Sequence, residues 1–440
     1  MKSKNYTYYI LAIAIGFGIG LKVIPDLLVL VGYFAIVLLT LISYVNNKPV
    51  RFIALFILAC YLEPYSRTYL AFAPYLTLQY LIILIAVYTL LAKNFNEKYR
   101  YVGLFYFGSF FLLELLSSLR FIDLRYTTGV LTQTAAMLSC LYIGSKLSFD
   151  KRATEHFLEV IFISSLLLSA IISVVYLKGN IQWTEESNFE TSGGMGPVQI
   201  SFYLAIGVFA GFYGIFLSKG IARVIYFTLS SAIIFIMILT FSRGGLYMLG
   251  LMIFVAFFSQ KKVKYIFLVI PLSVIIYWGI EFVTDFTEGK IIERYAQEGT
   301  SSRDLLVAYG WEMFKENPLI GIGTANYYFE VAKSKYFGFK SGAHNEIIRA
   351  LSEHGFIGGI LWVLFFIVSI FQLRKKPGFY KQISMVFFIV FLASTFHNGL
   401  KLALQPTILL IAVASRPREK SYLNKSSKYQ NTLNSVPDAH

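Results

Sequence analysis

Three side chains in this sequence have types and placements that could do chemistry together. Arg243 stands in TFSRGG, directly before the apolar run LYMLGLMIF. An arginine at that depth either snorkels toward lipid phosphates or meets an anion, a cavity or a carboxylate. Gly244 and Gly245 beside it remove side-chain bulk and let another group approach the backbone. Arg303 opens RDLLVAYGWEMFKENPLIGIGTANYYF, with Arg294 a little upstream, and His344 lies in GAHNEIIRALSEHGFIGG. Singly, a loop arginine is ordinarily solvated and a surface histidine ordinarily bland. In combination, two arginines offer forked, permanently charged donors for a diphosphate, and a neutral imidazole can take a proton from an attacking hydroxyl. That set fits group transfer from a diphosphate-linked donor. His344, Arg243 and Arg303 form the candidate catalytic set, the two arginines also holding the diphosphate. Arg294, Asn345 and His354 stand behind them, and His397 is a further competitor.

Other chemistries lack their ligands. There is no Asp-x-Asp, no Walker lysine loop and no HExxH, so metal-bound diphosphate, ATP hydrolysis and zincin chemistry are not expected. An arginine-based site without metal or cofactor remains. GFGIG at Gly16 to Gly20 looks like a nucleotide loop but lies inside an apolar run, where glycines permit close helix packing. Glu185 and Glu186 read as a solvated loop face. Glu281 and Asp285 could pair with an arginine or orient a base. Cys60 and Cys140 sit in apolar runs without Cys or His companions and read as packing residues.

The elements that must position these residues are membrane helices. Of 440 residues 57% are hydrophobic and only 14% charged, which excludes a soluble globule. About fourteen apolar segments are long enough to cross with tilt, the third and the last two being the weakest. Lys2 and Lys4 precede the first, which lacks a clear cleavage site and reads as an uncleaved helix. The formal charge of +15 is spread over short connections, which is the positive-inside pattern and not a nucleic-acid face. With the N-terminus inside, every dense basic cluster falls on one side of the membrane. The expected fold is therefore an all-α polytopic membrane protein of about 12–14 transmembrane helices with one large extracytoplasmic helical loop. Residues 1–281 would form a bundle of about 11 spans with a small outer loop at 178–196. Residues 282–355 form the large loop, 356–415 the last spans, and 416–440 a cytoplasmic disordered tail.

Within the large loop, Ser301 and Ser302 precede a helical stripe of Leu305, Leu306, Tyr309, Met313 and Phe314 that must end before Pro318. A turn follows at Gly321, Ile322 and Gly323. A second helix is expected from about Ala343, with Ile347, Ile348 and Leu351 in register and Gly355 as its C-cap. His344 would then sit in or beside its first turn.

The residues from Phe241 to Leu364 resemble the O-antigen ligase and polymerase superfamily. The resemblance is carried by SRGG with Arg243, by Arg303 with NPLIGIG, and by HNEIIRALSEHGFIGG with His344. It implies a membrane glycosyltransferase of bacterial surface polysaccharide synthesis that takes its glycan from an undecaprenyl-diphosphate-linked donor. The acceptor would be a lipid-linked glycan or a lipid A core-type molecule, with a chain-length regulator as a possible partner. The resemblance also implies diphosphate binding by Arg243 and Arg303, acceptor activation by His344, and inversion without metal in the cytoplasmic (inner) membrane. The branches differ in acceptor, a growing lipid-linked repeat unit or a separate final molecule. A non-catalytic transporter or flippase of lipid-linked glycans is the alternative from another class, since many spans with basic residues also suit a transport path.

Overall fold

The computed structural model describes residues 6–70, 74–92, 100–179, 181, 183, 189–260, 269–296, 303–334, 338–397 and 401–417. Lys2, Lys4, Glu185, Glu186, Ser301, Ser302 and nearly all of the polar tail lie outside them. The chain is an all-α polytopic membrane protein. In order the helices are α1 (Thr7–Gly20), α2 (Asp26–Val45), α3 (Pro49–Tyr69), α4 (Thr77–Ala92), α5 (Gly103–Ser117) and α6 (Leu124–Lys146). There follow α7 (Lys151–Leu177), α8 (Pro197–Leu217), α9 (Ile221–Leu239), α10 (Arg243–Gln260) and α11 (Val269–Phe286). The large loop contributes α12 (Lys290–Ala296), α13 (Arg303–Glu316) and the short α14 (Tyr327–Glu330). The chain closes with α15 (Glu346–Arg374), α16 (Gly378–Ser394) and α17 (Leu404–Ala414). Every apolar segment read from the sequence coincides with a helix. Among the described residues, six helices are long and apolar enough to cross a membrane, and five shorter ones are apolar over 10–17 residues.

Burial sorts the spans into layers. The apolar stretch containing α8 is 83% buried within the protein and that of α2 only 28%, so α8 is central and α2 peripheral. An all-round apolar helix is stable in either place, since lipid and core are equally dry. GFGIG is a packing device: a Cβ on Gly16 would stand 2.5 Å from the Leu167 carbonyl oxygen, and one on Gly20 2.8 Å from that of Ile171. Backbone contact of this kind draws α1 onto α7.

The connections fall at two ends, as alternating spans require. At one end Tyr69 donates to the Gly193 carbonyl (2.6 Å), Thr191 to Thr240 (3.1 Å), and Arg120 to Gly321 and Ile320 (3.0 Å each). At the other, Lys376 Nζ donates to the carbonyls of Val413 (3.0 Å) and Ser415 (2.8 Å), and Phe149 N to Ala414 (2.9 Å). The large loop belongs to the first end, together with the 178–196 connection.

Two glycine motifs join that loop to the bundle. Gly355 breaks α15 with φ 64° and ψ −157°, a conformation open essentially to glycine alone. The break separates a loop helix, 346–354, from the span that follows. It also strips the Ser352 and Glu353 carbonyls of their helical donors, and the NPLIGIG turn supplies replacements. Ile322 N donates to Ser352 O and Gly323 N to Glu353 O, both at 2.9 Å, while Phe356 N donates to Pro318 O at 2.7 Å. The fit leaves no room for a methyl group. A Cβ on Gly321 would lie 2.3 Å from the Glu353 carbonyl carbon, and one on Gly355 2.4 Å from that of Leu319. Thus the glycine expected as a C-cap does end a helical stretch, and the chain resumes as helix at once.

The loop has a small core of its own, built from Leu306, Met313, Tyr327, Val331 and Ala343. Tyr327 donates to the Leu306 carbonyl at 2.6 Å, tying α14 to α13. The stripe on α13 differs from the expected one: Leu305 is 45% exposed, and the inward line runs through Leu306, Gly310 and Met313. Gly310 holds the register, because a Cβ there would stand 2.4 Å from Ile348 of α15.

Gly355→Ala should lower the stability of the purified protein by at least ~2 kcal/mol, combining backbone strain with a backbone clash. Thermal unfolding in detergent checks this, with Gly338→Ala, at an exposed loop glycine with open space around its α-carbon, as the control expected to cost less.

Candidate functional site

Arg243 is the first residue of α10 and not the end of the preceding span. The turn between α9 and α10 runs through Phe241, a non-glycine residue at φ 56°. Such a conformation costs free energy and persists only where neighbours enforce it. Here Trp183 of the smaller loop stacks on the Phe241 ring (5.3 Å, 19°), and Arg294 Nε donates to the Phe241 carbonyl at 3.4 Å. What approaches the SRGG glycines is α8: a Cβ on Gly245 would stand 2.7 Å from Ser201 O, and one on Gly244 2.9 Å from Phe202. The glycines thus seat the α10 N-terminus against the bundle while Arg243 stays partly exposed.

Arg243 marks the N-terminus of α10, where unpaired N–H groups and the helix dipole already favour an anion, and Arg303 lies on α13. Arg303 is partly buried and lies within electrostatic reach of Arg294 and Arg243. Burial first, then Arg294 and Arg243, pull its guanidinium below the usual range. Like charges held this close raise the preference of the site for an anion.

His344 precedes α15, which starts at Glu346 rather than near Ala343. Asn345 is the N-cap, its Oδ1 accepting from Ile347 N (3.0 Å) and Ile348 N (3.2 Å). The imidazole therefore stands clear of the helix, at φ 49°, the second strained non-glycine position of this site. Its pKa is lowered to about 4, chiefly by burial and then by Arg303 and Lys401. The arginine cluster and His344 are thus electrically coupled through Arg303.

His344 also lines a cavity of about 800 Å³ between the start of α6, the residues before α4 and the large loop. Arg243, Arg294 and Arg303 do not line it. Lys401, ahead of α17, does, and Glu63 fixes that segment: its Oε2 accepts from Ala403 N (2.9 Å), while Gln79 bridges its Oε1 and the Lys401 carbonyl.

His354 does not join this site. It is fully buried where α15 meets α5, edge-on to Phe110 (5.4 Å), with Nε2 3.7 Å from Glu114 and 3.9 Å from Glu353. Arg349 governs this cluster. Its Nε pairs with Glu346 (2.7 Å) and its Nη1 with Glu114 (2.8 Å) and Glu353 (3.0 Å). Sequence reasoning passed over Glu114, Arg349, Arg120 and Lys401. Only Glu114 carried a signal, as a lone carboxylate inside FFLLELLS. The side chain of His397 lies outside the described residues, and among those residues no cluster of His, Cys, Asp and Glu could hold a metal.

Residues 226–363 match the family model described as O-antigen ligase. Over that segment the chain is similar to an O-antigen ligase domain. That domain takes in Arg243, Arg303 and His344, together with the NPLIGIG turn and the Gly355 break, and leaves α1 to α8 outside. No curated protein matches the chain. The match supports the resemblance to the O-antigen ligase and polymerase superfamily.

Because Arg303 and Lys401 depress the His344 pKa, Arg303→Gln or Lys401→Gln should each raise it from about 4 toward the ordinary 6.5. The shift should be partial, since burial is the larger cause. The sign for stability follows: unfolded chains bind the proton first, so the contribution of neutral His344 is complete above about pH 6.5 and is lost as pH falls toward 4. Titration of isotope-labelled histidine by NMR in nanodiscs checks the pKa directly.

Proposed function

We propose that the chain is a membrane glycosyltransferase that moves a glycan from an undecaprenyl-diphosphate-linked donor to an acceptor hydroxyl at the outer face of the cytoplasmic membrane. The observation that carries this reading is the electrostatic coupling of the arginine cluster, through Arg303, to a neutral histidine. Arg243, which opens α10, and Arg303 on α13 would hold the diphosphate, with Arg294 as the third positive charge. His344 would accept the proton of the acceptor hydroxyl while that oxygen bonds to the anomeric carbon. The bond from that carbon to the diphosphate breaks, and the electron pair leaves with the lipid diphosphate. Guanidinium groups stabilise the charge that develops there. Attack opposite the leaving group inverts the anomeric configuration, and no step calls for a metal.

An imidazole with a pKa of about 4 is neutral at pH 7 but a weak base. The donor supplies the correction. A bound diphosphate cancels the positive field that lowers the pKa, so the base strengthens when the donor is in place. Adding undecaprenyl diphosphate to the labelled protein should therefore move the His344 titration upward, and an unchanged titration would contradict this coupling.

In a deletion strain, Arg243→Ala and Arg303→Ala should each reduce transfer by roughly 10²–10³. His344→Ala should reduce it by roughly 10²–10⁴. Normal surface polysaccharide with all three variants would overturn the assignment. The deletion strain itself separates the two branches: single repeats at the surface mark a missing polymerase, and long chains stranded on carrier lipid mark a missing ligase.

A further inference from the structure

The cavity beside His344 has a different chemistry from the arginine cluster. It carries three carboxylates, Asp123, Glu346 and Glu353, against four cations, Arg125, Lys340, Arg349 and Lys401. Near-balanced charge of both signs suits a polyhydroxyl ligand, which donates and accepts, better than a polyanion. Its size falls within the range of about 300–1,000 Å³ usual for small-molecule sites.

The walls add flat apolar surface. Tyr126 and Tyr328 stack at 4.2 Å and 19°, and Phe329 stands edge-on to Tyr126 at 5.6 Å. Tyr75 also lines the cavity and is 50% exposed, with the Arg67 guanidinium 4.0 Å from its ring centroid. Rings of this kind pack against the C–H faces of pyranoses as they do against other apolar groups. The polar groups are held rigidly: Arg349 fixes Glu346 and Glu353 through two short ion pairs, so their orientation is set before a ligand arrives. Gln133 adds an amide that can both donate and accept.

We infer that this cavity is a saccharide subsite for the acceptor glycan, distinct from the diphosphate site, with His344 as the residue common to both. The inference rests on the glycosyltransferase reading and adds a second, separately built pocket to it. The three arginines do not line the cavity and His344 does, so a diphosphate on the arginines and an acceptor in the cavity would occupy separate places that share the imidazole. Tyr126, Tyr328 and Gln133 are specificity residues here, remote from the proton transfer.

The test uses the full chain in nanodiscs and two probes. One is undecaprenyl diphosphate without sugar; the other is a single repeat unit released by mild acid from the host strain's own polysaccharide, free of lipid and phosphate. Tyr328→Ala and Gln133→Ala should each weaken saccharide binding by about tenfold and leave the lipid diphosphate unaffected, while Tyr328→Phe, which keeps the ring, stays near wild type. Arg303→Ala should do the reverse. Retained diphosphate binding reports that the cavity variants are folded. In turnover, the cavity variants should raise the acceptor KM and spare the donor KM. The inference is overturned if the wild type holds the diphosphate but not the saccharide, or if folded cavity variants keep full saccharide affinity. A rise in donor KM instead would assign the cavity to the donor's own sugars and equally overturn it. Failure of the wild type to bind either probe would sink the glycosyltransferase reading itself.

Discussion

The side chain on which the loop depends is Arg349. One guanidinium satisfies carboxylates from the same helix, Glu346 and Glu353, and from α5, Glu114. Glu114 and Glu353 are almost wholly inaccessible to solvent, so their charges have no alternative partner in water. Removing one member of such a buried cluster typically costs about 3–5 kcal/mol, because the others are left uncompensated. That penalty makes the docking of the loop helix on α5 specific as well as strong. His344, two residues ahead of the helix, inherits its position from it.

A second constraint comes from the other half of the site. Arg243 is held by a turn that is strained at Phe241, and the strain is supported from three directions: Trp183 above, Arg294 at the carbonyl, and α8 beneath the two glycines. The α8 contact comes from outside the segment matched by the ligase domain, and so does Trp183. The N-terminal helices therefore shape the site although they carry none of its recognisable motifs. They also supply the cavity wall at Tyr75, Tyr126 and Gln133.

Much of this was legible in the sequence, and the reasons are local. Apolar run length fixed the spans, since a helix is the only unclosed structure that satisfies its backbone in lipid. Gly355 was readable as a helix end, and the limit before Pro318 held for α13 because proline restricts the residue before it. The start of α15 was misplaced because Asn345 caps it through its own side chain, a choice that periodicity alone does not reveal. Arg120, Arg349 and Lys401 escaped notice for a different reason. Each acts through partners that are distant in sequence, and a charged residue in or near a loop looks solvated until those partners are known. His354 erred in the opposite direction: its motif suggested chemistry, and its surroundings give it packing against Phe110 beside two carboxylates.

The Gly355 break has a consequence for spacing. From Glu346 to His354 the chain is an uninterrupted helix of about 13 Å at the usual rise of 1.5 Å per residue. One end of this strut is clamped by the NPLIGIG turn, and the other presents the imidazole. Its length sets how far the histidine stands from the Gly355 break, like the fixed arm of a gauge. One residue more or less between Arg349 and the break would change that separation by about 1.5 Å and turn Arg349 about 100° away from Glu114. In this arm the count of residues is itself a structural constraint.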